Sequence, residues 1–244
     1  MKLRIILQMP KNYGNFQKKL QELHFYQISK MVKKKIVLAT EFVVLFIGVP
    51  LFLFFEENII HPSSVLLPVL VALILYFRKQ KDFHLRDLVR LNISKKMWLQ
   101  QLLVVVLSGI FLLIFVLIFE PENLFNLPRR NPAIWLAMLG FYPVFSAYGQ
   151  EVVYRKFLFM RYSRLFQNKW ILILASAITF SFVHIVYFSV LSLVLTFFAG
   201  IYLAWLYDKT KSVLFTAIVH GIMGFLIFTV GLGQHFWVDM MQWL

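Results

Sequence analysis

Residues 97–119 and 170–207 contain no Asp, Glu, Lys or Arg and are almost wholly apolar. A run of about 20 apolar residues is what an α-helix needs to cross hydrocarbon, where each backbone N–H and C=O must be satisfied within the segment. Several such runs hold the chain to one architecture, an all-α polytopic transmembrane helical bundle. Composition agrees: 60% of the residues are hydrophobic, against about 45–50% in soluble domains, and mean hydropathy is +0.75.

Seven crossings are expected, at 36–55, 59–77, 97–119, 133–149, 170–188, 189–207 and 213–230, with room for an eighth, short or re-entrant piece. Pro68 and Pro143 interrupt the second and fourth. The chain then divides into a basic arm (1–35), N-terminal membrane helices (36–132), a core carrying polar motifs (133–230) and a short tail (231–244).

The net charge of +14 would fit a nucleic-acid partner, but its placement gives another reason. Nine basic residues precede residue 36, seven lie between Arg78 and Lys96, and five between Arg155 and Lys169. Lys209 and Lys211 follow, which leaves Arg129 and Arg130 as the only two of 25 on the opposite side. Lys and Arg collect in cytoplasmic loops. The pattern predicts a multi-pass protein of the cell membrane with its N-terminus cytoplasmic and its C-terminus outside, and needs no nucleic acid. The first 35 residues are basic and mixed, unlike a secretory signal, so the first apolar helix is expected to act as an uncleaved insertion signal. Within that arm Leu20, Leu23, Phe25 and Tyr26 stand among lysines. It reads either as an amphipathic helix on anionic lipid or as a solvated tail.

Polar groups inside the apolar core are the candidate site. An ionisable side chain at the bilayer centre costs about 2.5 kcal/mol or more, so its presence calls for a reason. Glu151, Tyr154 and Arg155 recur at helical offsets on one face. An arginine four residues after a glutamate can pair with it and hold it ionised. His184, four residues after Phe180, and His220 lie in separate apolar segments. A lone Glu–Arg pair or a lone buried histidine is usually structural. Two histidines with one carboxylate match the parts needed to activate water and to stabilise an oxyanion. They equally match a two-His, one-carboxylate zinc site, and the sequence leaves both open. The chain has no cysteine, which removes disulfides, thiolate nucleophiles and cysteine metal sites.

In order and spacing these residues resemble the CAAX-protease and bacteriocin-processing group of intramembrane endopeptidases, also called the Abi family. Its signature runs Glu-Glu-x-x-x-Arg, then Phe-x-x-x-His, then His-x-x-x-Asn. Here Gln150-Glu151 through Arg155, Phe180 through His184, and His220 through Gly224 take those places, and the resemblance covers about 133–228. It implies peptide-bond hydrolysis in a membrane cavity open to the cytoplasm, with a membrane-associated peptide or protein as substrate. It also implies that the first Glu and first His activate water while the second His and the Asn stabilise the oxyanion. A divalent metal such as zinc has been proposed for the family, with Glu151, His184 and His220 as its ligands here; a metal-free glutamate mechanism is the reading preferred.

The chain departs from that signature twice. Gln150 replaces the first Glu, and a carboxamide takes no proton from water near neutral pH. Glu151 is no simple substitute, because adjacent helical residues point about 100° apart, unless the helix unwinds near Gly149. Gly224 replaces the Asn and removes a donor. Two functions stand side by side: an active peptidase using Glu151, His184 and His220, or an impaired relative that binds a membrane partner in immunity, regulation or scaffolding. A transporter fits less well, since the chain lacks repeated halves. The span edges also leave a tension. Glu151 falls near the cytoplasmic end of its crossing, while His184 falls about 21 Å along the next from Trp170.

Overall fold

The computed structural model describes residues 13–56, 62–81 and 83–236. The expected start of the second crossing at Ile59, the first twelve residues of the basic arm and the tail beyond Phe236 lie outside the described residues. The chain divides into Met1–Val43 and Val44–Leu244. In the first unit, α1 (Tyr13–Val43) is one helix through most of the basic arm and into the first apolar segment.

The second unit holds α2 (Val49–Phe55), α3 (Pro62–Arg78), α4 (Lys95–Phe119), α5 (Asn126–Arg130) and α6 (Pro132–Phe141). These are followed by α7 (Tyr148–Glu151), α8 (Leu158–Tyr162), α9 (Lys169–Phe182), α10 (Val190–Thr210) and α11 (Val213–Val230). Helices account for the regular structure of the described residues, and no strand occurs among them. Among the described residues, five helices are long and apolar enough to cross a membrane: Lys18–Phe55, Lys95–Phe119, Lys169–Tyr187, Val190–Thr210 and Val213–Val230. These are five of the seven expected crossings. The second expected crossing corresponds to the shorter apolar helix Ser64–Arg78.

The fourth expected crossing is corrected most. It was placed at 133–149, but the helical path continues to Tyr162 as one run with changes of pitch. Pro143 supplies no N–H and cannot continue an α-helical ladder. The chain answers with a π-helical turn at Tyr142–Ala147, returns to α geometry at Tyr148–Glu151, then widens again over Val152–Phe157. π-turns of this kind are rare and gather at functional sites. The run places Glu151 well inside the helix rather than at its end, which removes the tension over depth.

Side chains fix where the other helices start and stop. Ser94, Asn168, Ser189 and Ser212 each accept a backbone N–H in the first turn of α4, α9, α10 and α11. Such caps satisfy donors that the helix itself leaves unpaired. α11 ends at Gly231 with φ 118°, where a Cβ would run into the Asn123 carbonyl; glycine alone holds that conformation without strain.

α9 and α10 form a tight hairpin. A Cβ on Gly200 would lie only 3.0 Å from Ala177 Cα, so the absence of one lets the two backbones approach. α11 is the central element of this unit. It packs on α4 through Leu112, Val116, Val230 and their neighbours. On another side it meets the π-turn of residues 142–147, where a Cβ on Gly221 would lie 2.7 Å from Pro143 Cβ.

Candidate functional site

The candidate site is assembled where the interrupted helix (132–162), α9 and α11 converge. Glu151 and Arg155 are both 0% exposed. Arg155 Nε lies 3.2 Å from Glu151 Oε2, close enough for an ion pair though not aligned for a hydrogen bond. The other carboxylate oxygen, Oε1, is 2.9 Å from His220 Nδ1. Arg155 is anchored across the helix interface as well: it donates to Ser176 Oγ at 2.8 Å, and Ser176 donates to the Tyr154 carbonyl at 2.7 Å. These bonds between the interrupted helix and α9 set residue 155 opposite residue 176, which brings Phe180 beside Arg155, with His184 one turn further along.

Phe180 is the wall common to these groups. Its ring lies 4.9 Å from the Arg155 guanidinium carbon, 4.9 Å from the His184 ring and 5.4 Å from the His220 ring. A cation over a ring face is held by the ring's quadrupole, so Phe180 both shields Arg155 and orients the imidazoles.

Hydrogen bonding fixes the proton positions on both histidines. His184 Nδ1 is 2.7 Å from the Phe180 carbonyl, which can only accept, so Nδ1 carries the hydrogen. His220 Nδ1 likewise donates to the Glu151 carboxylate. In the neutral rings both Nε2 atoms are then lone-pair acceptors. A carboxylate behind an imidazole orients it and stabilises the imidazolium that forms when Nε2 takes a proton. Geometrically, Glu151 is the partner of His220.

The two departures from the signature have distinct structural outcomes. Gln150 turns away: its Nε2 donates to Ser146 Oγ at 3.0 Å, four residues back on its own helix. The carboxylate at Glu151 faces the histidine helix instead. Gly224 is closed over by Tyr142, whose phenol stands where a Cβ on residue 224 would project. The structure therefore brings Glu151, Arg155, Phe180, His184 and His220 together and leaves Gln150 and Gly224 without side chains in the cluster. Among the described residues, no group of three His, Cys, Asp or Glu side chains is placed to hold a metal ion. One oxygen of Glu151 is engaged by His220 and the other faces Arg155.

Two contributors were missed in the sequence. Ser176 looked like one more small residue of a greasy helix; its spacing from Phe180 by one turn was the available signal. Tyr142 stood next to Pro143, and that proline marked the break that turns the tyrosine inward.

No curated protein and no solved structure matches the chain. Residues 132–226 match the family model described as Type II CAAX prenyl endopeptidase Rce1-like. That segment holds the interrupted helix, α9, α10 and nearly all of α11, and with them each of the clustered side chains. Residues 132–226 are therefore similar to the Rce1-like type II CAAX prenyl endopeptidases, a likeness consistent with the CAAX-protease and bacteriocin-processing family, within a multi-pass helical membrane protein.

Proposed function

We propose that the protein is an intramembrane endopeptidase that cleaves a membrane-associated peptide with a water activated by the Glu151–His220 pair. The observation carrying this reading is the 2.9 Å hydrogen bond between Glu151 Oε1 and His220 Nδ1, buried beside Arg155. His220 Nε2 takes a proton from water, and Glu151 stabilises the imidazolium. The hydroxide adds to the scissile carbonyl carbon, and the imidazolium returns the proton to the departing amine. His184 Nε2, against the same Phe180 ring, accepts the second hydrogen of the water and fixes its direction. Arg155, with its Nε 3.2 Å from Glu151 Oε2, pairs with the carboxylate and holds it toward His220.

This chemistry uses side chains already in place and routes no step through a metal. Lipidated peptides ending in a prenyl-cysteine motif are the first substrates to try, since a prenylated chain partitions into the bilayer where the site lies. The crowding of lysine and arginine into alternate loops supports a cytoplasmic N-terminus and a site reached from that side.

A second reading is favoured by Gln150 and Gly224. A fold that keeps the buried Glu151–Arg155–His220 network as a clamp, with no catalytic carboxylate at 150, would bind a membrane peptide without cutting it, as an immunity or regulatory protein does. The deciding experiment is cleavage of a farnesylated peptide by protein purified in lipid nanodiscs. Wild type is expected to cleave, with Glu151→Ala and His220→Ala each lowering kcat by about 10²–10⁴-fold. Activity that appears only in Gln150→Glu would establish the second reading and end the first.

A further inference from the structure

A hydrolytic site needs a donor for the negative charge that develops on the carbonyl oxygen, and most donors around His220 are already engaged. His220 Nδ1–H is held by Glu151 and His184 Nδ1–H by the Phe180 carbonyl. The Gln150 amide is on Ser146, and Ser176, Thr179 and Thr216 donate to backbone carbonyls. Among the described residues the Tyr142 hydroxyl has no hydrogen-bond partner, although its ring is packed edge-on at 6.3 Å from the His220 ring and 5.6 Å from Phe228. Arg155 Nε and Nη2 also have no hydrogen-bond partner, but Arg155 is fully buried, whereas Tyr142 is half-buried.

Its placement follows from local sequence. Pro143 forces the π-turn in which Tyr142 lies, and that turn is pressed against α11 at Gly221 and Gly224. Gly224 is one helical turn beyond His220, on the same face. The Tyr142 oxygen lies about as far from the Cβ site of residue 224 as an atom two bonds away would. A polar side chain rooted at 224 would put its terminal N or O in that place. The glycine thus does more than permit close packing: it makes room for a phenol from a neighbouring helix to present a hydroxyl beside His220.

Resting on the peptidase reading above, we propose that Tyr142 is the oxyanion donor of this site. When hydroxide adds to the substrate carbonyl, the C=O π-electrons move to oxygen, and that oxygen accepts a hydrogen bond from Tyr142 O–H. Tyrosine keeps its proton throughout. When the tetrahedral intermediate collapses, the C=O bond re-forms, the C–N bond breaks, and the amine leaves with the proton held by His220.

The test is Tyr142→Phe, which removes one oxygen and no hydrogen bond that the described residues make, assayed on a farnesylated peptide in nanodiscs. A neighbouring phenol serves as comparison: Tyr187, 5.6 Å from the His184 ring, is changed to Phe in parallel. Expected is a loss of about 10²-fold in kcat with KM unchanged for Tyr142→Phe, and a change within about twofold for Tyr187→Phe. A phosphinate peptide, whose tetrahedral anionic centre stands in for the intermediate, should lose affinity for Tyr142→Phe by a similar factor while the uncleaved farnesylated peptide does not. Tyr142→Ala joined to Gly224→Asn should regain about tenfold over Tyr142→Ala, by returning a donor from α11. If wild type cleaves and Tyr142→Phe matches it in kcat, or the loss falls on Tyr187→Phe instead, the assignment is overturned while the peptidase reading stands. If wild type neither cleaves nor binds the phosphinate, both fall together.

Discussion

α4 and α11 are both apolar helices long enough to cross a bilayer, yet 11% of the apolar window of α4 is buried in protein against 56% of α11. On α4, Leu99, Leu102, Leu103, Leu107 and Phe111 all face outward, and Gln101, its buried polar residue, is met by the Tyr202 hydroxyl of α10. On α11, Thr216, His220, Gly221 and Gly224 are buried. The difference teaches how a membrane helix declares its surroundings. Lipid tails are as apolar as leucine, so apolar side chains give no preference for protein over lipid. Small residues that let backbones approach, and polar ones that need partners, mark the helix that packs. The buried polar cluster of this chain stands on the packed helices because only they can satisfy it.

The largest effect is expected from splitting the buried pair. Removing one partner of a buried ion pair costs about 3–5 kcal/mol, because the other charge stays behind uncompensated. Glu151→Ala should therefore melt well below wild type as well as lose cleavage. The double variant Glu151→Leu/Arg155→Met should recover most of that stability without activity, since a neutral pair of similar bulk leaves no orphan charge. A Glu151→Ala protein as stable as wild type would break the contrast, by showing that the buried network is open to water or lipid headgroups. No such loss is expected for a substitution on the outward face of α4.

Glycine substitutions sharpen the comparison at intermediate scale. A Cβ on Gly224 would meet the Tyr142 ring, while one on Gly109 of α4 would lie 3.3 Å from the tip of Leu226, a side chain able to turn away. Both residues are mid-helix, where alanine is favoured over glycine by about 1 kcal/mol. Gly109→Ala should keep part of that gain. Gly224→Ala should lose it and more, by about 1–3 kcal/mol from overpacking, and should displace the Tyr142 hydroxyl. Paired thermal melts in one detergent check the sign of each. If the two variants behave alike, close packing at residue 224 is not what distinguishes α11.

Much of this is legible in the sequence, for identifiable reasons. The uncharged runs at 97–119 and 170–207 state the helical membrane fold because hydrocarbon allows little else. Glu151, His184 and His220 stood out because each is costly where it sits. What could not be read was how they pair. The signature pairs the residue at 150 with His184; the carboxylate hydrogen bond in the cluster runs instead from Glu151 to His220, where the helix carries π-turns on either side of Glu151. π-geometry has no reliable sequence period, and Pro143 told only that the ladder must break somewhere near. The end of the interrupted helix was misplaced for the same reason. Its apolar run stops at Gly149, but its hydrogen-bonded path continues under Val152, Tyr154 and Phe157, which are buried against protein. The inward placement of Tyr142 was invisible in the sequence because it depends on an absence, the missing side chain at Gly224.

The smallest effect is expected on the outward face of α4, and it tests the comparison from the other end. Leu103 and Leu107 are 59% and 55% exposed, whereas Phe215 on α11 is 0% exposed. Truncating Phe215 leaves a cavity that the packed helices cannot fill, at a cost of about 3–5 kcal/mol. Truncating Leu107 leaves a space that a lipid tail enters, so the lost contacts are remade with solvent of the same polarity. Leu107→Ala should change unfolding free energy by less than about 1 kcal/mol, an ordinary surface substitution, with cleavage unaltered. A loss as large as that of Phe215→Ala would mean that the face carrying Leu103 and Leu107 is covered by a second protein surface in the membrane. The low burial of α4 would then record a missing partner in place of lipid.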